Sequence, residues 1–427
     1  MDIRSFQGWR YSSADGDISR FIAPPYDVLS QADKNALLAG DEYNIVAVDL
    51  PHVPPKQVGP DEVYQAASDR LDEWKSSHLL RQDDKPAIYA YRQAYSWAGL
   101  THTRHMMICR VRATELGRDV IPHEKTFAGP KADRLKLTEY TRMQLSPIFG
   151  FYNDPGGGVA TTLQSATDKQ PDCTGSLNGV TEKLWVVFDE NIIDSIAYAL
   201  CDEPVFVADG HHRYTTALNY RDSLGEIAPD HPANFVMFVL VAMDDPGLIV
   251  LPTHRIIRGL KDFSLEEFIA STSDIMDYEP VRLTCDDAVD ADTLLKPFGR
   301  TSMAFIGRGS AFVGRLKDTY TMTELAPDKI DTWRELDVVI LHKLLIDKGL
   351  SDLWTDETSL DYTIDGPAAL SAVESGQGDL AVLLQGAPIQ AVREIALSGA
   401  VMPHKSTYFY PKVATGMVLY EVGGKCS

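Results

Sequence analysis

The stretch Pro204-Val-Phe-Val-Ala-Asp-Gly-His-His-Arg-Tyr-Thr-Thr-Ala217 decides how the rest of the chain is read. Residues 205–208 are apolar and predict a buried strand. Tyr214, Ala217 and Leu218 then fall at i, i+3 and i+4 of a helix that Gly225 is placed to stop. Between strand and helix, Asp209, Gly210, His211, His212 and Arg213 put four ionisable groups into one glycine turn. Such a turn presents free backbone N–H groups and the positive end of a helix, which suits an anion. Arg213 adds a forked donor matched to phosphate or carboxylate. The competing reading is a tight turn whose histidines only satisfy nearby backbone groups.

Working outward, strands and helices alternate from about 118 to 260, which predicts an α/β unit. A short apolar strand precedes His123, a helix starts near Pro130, and strands are expected at 146–152 and 184–189. A helix is expected at 191–200, and the run at 235–242 is apolar on both faces, as a central strand should be. Upstream, Pro24 and Pro25 force extended backbone that displays Tyr26 and Asp27, and Ser30 caps a helix over 31–38. A strand is expected at 45–50, a helix over 60–77, and strands at 87–93 and 102–112. Residues 249–255 predict a strand breaking into a turn that shows His254 and Arg255. Beyond 260 come acidic helices and short strands, with an apolar helix at 337–346 and a buried strand at 380–384. The expected organisation is α/β with mixed sheets in three regions, 1–117, 118–260 and 261–427. That agrees with a length prior of about two or three domains.

The chain has 427 residues, with 61 Asp and Glu against 40 Lys and Arg and a formal charge of −21. A surface this acidic repels a phosphate backbone and argues against nucleic acid as a partner. No apolar run approaches about 18 residues, and the first ten lack the apolar core of a signal peptide, which points to a cytoplasmic protein with no membrane role. The five cysteines form no CxxC pair and no zinc spacing. No GxSxG elbow is present. Asp154-Pro-Gly-Gly-Gly158 lacks the GK[ST] that a phosphate loop needs and reads as a turn.

Two further stretches pair small polar donors with cations. One is His123, Glu124, Lys125 and Thr126; the other is Lys405, Ser406 and Thr407, whose ammonium and hydroxyls suit anionic oxygens. Phosphoryl transfer needs little covalent chemistry from a protein. It needs cations and N–H groups around the moving phosphoryl and a carboxylate to take the proton of the attacking hydroxyl. Glu124 and Asp209 are the carboxylates inside the dense stretches. One is expected to act as base, and Asp209 is also a candidate Mg²⁺ ligand.

Taken together, Ala23-Pro-Pro-Tyr-Asp-Val-Leu29, His123-Glu-Lys-Thr126, Ser146-Pro-Ile-Phe149, Asp209-Gly-His-His-Arg213, Leu251-Pro-Thr-His-Arg255 and Met402-Pro-His-Lys-Ser-Thr-Tyr-Phe409 resemble one large bacterial and archaeal family known as a domain of unknown function. The 209–213 turn before its helix also resembles the phosphate-binding turn of the ParB/sulfiredoxin-like fold, and His123-Glu124 before a helix resembles archaeal free-serine kinases of that fold. The resemblance implies a ParB/sulfiredoxin-like core with N- and C-terminal additions. It implies Glu124 as the base, Asp209 as a catalytic or metal-positioning carboxylate, and phosphate held by Gly210, His211, His212 and Arg213, with His212 also expected to be catalytic. His123, Lys125, Thr126, Arg255, Lys405, Ser406, Thr407, Tyr26 and Asp27 are the remaining substrate-binding candidates. The spacing of 85 residues from Glu124 to Asp209 implies an insertion, and a histidine stands where sulfiredoxin chemistry requires a cysteine. The implied activity is a phosphotransferase acting on free L-serine or O-phosphoserine, with ATP, ADP or pyrophosphate as donor and a small phosphorylated metabolite as partner. A ParB-like nucleotide-binding switch and a phosphomonoester hydrolase are the alternatives. Self-association as a homo-oligomer is left open.

Overall fold

The structure is a computed structural model that describes residues 1–54, 57–124 and 128–423, with the side chains of 128–130 left out. The chain forms two compact units, Met1–Leu248 with Pro411–Ser427 and Ile249–Tyr410.

The first unit is built on a nine-stranded mixed sheet. Its strands are β1 (Ile3–Arg4), β2 (Ile88–Trp97), β3 (Leu100–Arg112), β4 (Val120–Ile121), β5 (Ile148–Tyr152), β6 (Cys173–Leu177), β7 (Val180–Val187), β8 (Val205–Asp209) and β9 (Phe235–Ala242). They lie in the order β4-β8-β5-β9-β3-β2-β7-β6, with β1 beside β3. β9 is buried at every position, because it lies between β5, parallel to it, and β3, antiparallel to it. β2 and β3 form a hairpin through Ala98 and Gly99, both at positive φ as a two-residue hairpin turn requires. The pairing that matters most is β4 against β8. They run parallel, with Val120 opposite Val205 and Ile121 opposite Phe206. Two segments far apart in sequence therefore end side by side.

Helices α1 (Gln31–Gly40), α2 (Val46–Asp49), α3 (Asp61–Ser76), α4 (Ala128–Thr141), α5 (Gly158–Ser165), α6 (Glu190–Ala199) and α7 (His211–Ser223) complete this unit. Ser30 caps α1 through a capping box with Asp33, as its sequence predicts. α3 buries Tyr64, Ala67, Leu71 and Trp74 at helical spacing. Val159 and Leu163 of α5, Ile196 of α6 and Tyr214 of α7 join sheet side chains such as Val207 and Phe238 in one core. The strand expected at 45–50 is instead the helix α2. Asn44 decides it: its carbonyl oxygen accepts from the Val46 N–H at 3.0 Å, and its amide donates to Arg20 O and Ile22 O, both at 2.9 Å. A short run that is apolar on all sides carries no period to separate strand from buried helix.

The second unit holds a six-stranded, fully antiparallel sheet of β10 (His254–Arg258), β11 (Met276–Pro280), β12 (Ser302–Gly307), β13 (Ser310–Leu316), β14 (Ser359–Thr363) and β15 (Leu380–Leu383), in the order β11-β13-β12-β15-β10-β14. Helix α8 (Gly366–Glu374) covers it with Ala369, Leu370 and Val373. The helix expected at 337–346 starts at Asp337 and widens into π turns over Leu341–Gly349. Residues Ile249–Leu251 pair with Tyr408–Tyr410, and after Pro252 the chain joins the larger sheet as β10. His254 and Arg255, expected in an exposed turn, are therefore strand residues with 2% and 0% exposure. The compact units also differ from the three expected regions. Strands from both sides of residue 117 share one sheet, and the chain after Tyr410 returns to the first unit.

Gly150 of β5 faces Val207 on one side and Leu240 on the other. A Cβ there would stand 2.8 Å from Val205 Cγ2 and 3.1 Å from the Phe206 carbonyl oxygen. Gly150→Ala is expected to destabilise the first unit by about 1–3 kcal/mol through overpacking. A lowered chemical-denaturation midpoint is the check, and an unchanged midpoint contradicts the packing described.

Candidate functional site

Because β4 and β8 are parallel neighbours, His123 and Glu124 leave the sheet beside the turn that follows Asp209. Gly210 makes that turn at φ +99°, a conformation open to glycine and strained for other residues. A Cβ at Gly210 would lie 3.1 Å from the Arg213 guanidinium. The first helical bond of α7 runs from Tyr214 N–H to Gly210 O at 2.9 Å. The N–H groups of His211, His212 and Arg213 therefore head the helix with no acceptor inside it.

Asp209 sits among cations. Its Oδ2 accepts from Lys412 Nζ at 2.9 Å, and its Oδ1 lies 3.6 Å from Arg213 Nη2. Burial opposes ionisation of this carboxyl, but Lys412 and then Arg213 outweigh it and hold Asp209 well below the usual carboxylate range. The other arm of Arg213, Nη1, donates to the Pro147 carbonyl. The guanidinium is thus braced from the turn and from the segment before β5.

The two buried histidines are neutral. His123 Nδ1 donates to Val207 O at 2.8 Å, and burial brings its pKa down to about 4. His211 Nε2 accepts from the His123 backbone N–H at 3.4 Å, so the proton of the neutral ring is on Nδ1. That atom faces Glu124 Oε2 at 4.0 Å. Burial, and then the adjacent His123, push His211 well below the ordinary imidazole range. The rings meet edge to face with centroids 4.9 Å apart. Glu124 is the more open partner, with 23% of its side chain accessible against 5% for His211.

Behind Arg213 lies a cavity of about 50 Å³, lined among others by Tyr26, Asp49, Arg134 and Ser146. Ser146 Oγ donates to Asp49 Oδ2 at 2.8 Å, and Arg134 Nε donates to Asp133 Oδ2 at 2.8 Å. Tyr64 OH donates to Asp133 Oδ1 at 2.6 Å, and the Arg134 guanidinium lies 4.0 Å above the Tyr26 ring. The Pro-Pro-Tyr-Asp and Ser-Pro-Ile-Phe stretches therefore converge behind the 209–213 turn. Tyr26 is buried there, and Asp27 is half-buried beside it.

Lys125 and Thr126 lie outside the described residues. Arg255, Lys405, Ser406 and Thr407 belong to the second unit. Arg255 is engaged there: Nε donates to His342 Nε2 at 3.2 Å, Nη1 to Thr253 Oγ1 at 2.8 Å and Nη2 to Lys405 O at 3.1 Å. Burial lowers its pKa to about 10. Lys405 adopts φ +52°, its Nζ lies 5.0 Å over Tyr362, and Ser406 Oγ donates to Pro403 O at 2.6 Å. Arg255 clamps this turn.

The donor set around Asp209 does not fit the Mg²⁺ suggested by sequence, because both carboxylate oxygens face cations. Among the described residues, no group of three or more His, Cys, Asp or Glu could hold a metal ion. No helix among them is long and apolar enough to cross a membrane. Lys412, three residues beyond the Met402–Phe409 motif, is not among the residues expected from sequence, and neither are Asp49, Asp133 and Arg134. Their signal is a charge inside an otherwise apolar neighbourhood, and only the fold reveals that neighbourhood.

The family model described as "Protein of unknown function (DUF1015)" matches residues 3–339, and the chain belongs to that family. No curated protein matches the sequence. Among solved structures, the chain is similar to a free serine kinase in complex with AMP, at 12% identity and TM-score 0.35 over 71% of this chain and 86% of that one. It is similar to a conserved hypothetical protein from Pyrococcus furiosus, at 14% identity and TM-score 0.35 over 72% and 92%. It is also similar to C-terminally truncated SbnI from Staphylococcus aureus, at 11% identity and TM-score 0.37 over 74% and 87%. Likenesses of this size carry no argument about activity.

The buried histidines make the fold sensitive to acid. His123 takes up its proton near pH 4 when folded and near the ordinary imidazole value of 6.5 when unfolded. Between those values the unfolded chain binds more protons, so this contribution to stability is complete above pH 6.5 and falls as pH drops toward 4. The full loss is on the order of 3 kcal/mol. Thermal unfolding at pH 7.5 and 5 should show a smaller midpoint drop for His123→Asn than for the unaltered protein. Equal drops contradict the neutral, buried ring.

Proposed function

We propose that this DUF1015 protein moves a phosphoryl group between a phosphate donor and the hydroxyl of a small hydroxy amino acid, most simply free L-serine and O-phosphoserine. One observation carries the reading. The parallel pairing of β4 and β8 sets a partly open carboxylate, Glu124, beside a helix N-terminus braced by Arg213. The turn supplies N–H donors and a net positive charge, since Asp209 is flanked by two cations, Lys412 and Arg213. The neutral His211 adds one donor, its Nδ1–H, without adding charge, whereas the N–H of His123 is taken by Val207 O.

In this reading the acceptor hydroxyl oxygen attacks phosphorus while Glu124 takes its proton. The bond from phosphorus to the leaving oxygen breaks, and the leaving phosphate or nucleotide carries that electron pair away. Arg213 and the N–H groups of α7 balance the charge on the transferred phosphoryl. Asp209 stays ionised and fixes both cations. ATP, ADP and pyrophosphate are the donors to compare.

Incubating the protein with L-serine and each donor in turn, and measuring O-phosphoserine, tests the reaction. Glu124→Gln is expected to lower kcat by about 10²- to 10⁴-fold, the usual worth of a positioned base, with donor affinity largely kept. If O-phosphoserine is neither formed nor consumed with any donor, the proposal fails. Phosphate release from O-phosphoserine without a donor would assign the same turn to a hydrolase instead.

A further inference from the structure

Lys412 reaches Asp209 from a segment without regular secondary structure, so something other than a strand ladder or a helix must hold it. Four buried polar side chains of the nine-stranded sheet do so. Arg104 on β3 lies directly opposite Gln93 on β2, and Gln93 lies directly opposite Glu182 on β7. They form one row across three adjacent strands, and Tyr91 stands two residues before Gln93 on the same face.

Arg104 Nη2 donates to Gln93 Oε1 and, at 2.6 Å, to the Pro411 carbonyl. Gln93 Nε2 donates to Glu182 Oε1 at 3.0 Å and to the Lys412 carbonyl at 3.1 Å. Tyr91 OH donates to Glu182 Oε2 at 2.7 Å and accepts from the Ala414 N–H at 3.3 Å. Three backbone groups of the segment, Pro411 O, Lys412 O and Ala414 N, are thus held by side chains that are at most 1% exposed. The Arg104 guanidinium also lies 4.7 Å over the ring of Phe149 on β5, two residues after the Pro147 carbonyl that receives Arg213.

Burying such a row is costly: burial raises the Glu182 carboxyl to about 7, and apolar residues of similar volume commonly do as well or better for stability. What apolar residues cannot do is orient a segment that has no ladder of its own. We propose that the row of Arg104, Gln93, Glu182 and Tyr91 is a positioning device that sets the Lys412 ammonium against Asp209, and through Asp209 steadies the Arg213 fork of the anion site. Its catalytic consequence rests on the proposed phosphoryl transfer, whereas its structural part does not. The four side chains act through Lys412.

The test reads Lys412 directly. Gln93→Met keeps the volume and removes the amide, and Tyr91→Phe removes one hydroxyl and serves if the first variant fails to fold. In each, the rate at which an amine-reactive reagent labels Lys412 is measured by mass spectrometry, with exposed Lys348 as internal reference. The expected result is a roughly three- to tenfold faster labelling of Lys412, the factor that losing one net hydrogen bond allows, with Lys348 unchanged. Unchanged labelling of Lys412 in a folded variant overturns the proposal, and so does an equal rise at both lysines, which marks general loosening. If phosphoryl transfer is observed, Gln93→Met should lower kcat in the unaltered protein and have no further effect in a Lys412→Met background. Should that reaction be absent, the labelling result still decides the positioning role.

Discussion

The carboxylate of Asp209, half-buried between the Lys412 ammonium and the Arg213 guanidinium, is the interaction on which the candidate site depends. A lone carboxyl in that place would keep its proton, since moving a charge out of water is costly. With two cations it stays ionised, and in return it fixes both. Gly210 permits the tight turn that brings Arg213 back over Asp209, and Pro147 takes the other arm of the guanidinium. Strand, turn, helix and the returning 411–423 segment are therefore tied at one point. The sheet reinforces the same point from below, because the charged row through Arg104, Gln93 and Glu182 holds the backbone on which Lys412 is carried.

The histidines play a different part from the cations. Each is held neutral by burial, and each has its tautomer set by a partner: His123 by the Val207 carbonyl, His211 by the His123 N–H. The positive character of the turn thus comes from Arg213, Lys412 and the end of α7. Glu124 is the more accessible partner, and its carboxylate looks toward the Nδ1–H of His211.

Local signals made much of the fold legible. The apolar run of 205–208 followed by a glycine turn and a periodic helix reads directly as β8 and α7, Ser30 reads as a cap, and Phe235–Ala242 reads as a strand buried on both faces. The reading failed where the deciding contact is distant or periodicity is silent. Residues 45–50 carry no period, and the Asn44 side chain tips them into a helix. Arg255 looks like a displayed cation in sequence, but its donors are taken up by Thr253, Lys405 and His342 within a strand. Lys412 gave no local hint, because its meaning comes from Asp209, two hundred residues earlier. The adjacency of Glu124 and the 209–213 turn rests on a parallel pairing that residue spacing does not reveal.

The most direct measurement is a crystal structure of the protein soaked with O-phosphoserine. Phosphate density is expected against the N–H groups of His211, His212 and Arg213, with the serine oxygen turned toward Glu124. Phosphate bound away from the 209–213 turn, with that turn unaltered and accessible, would contradict it.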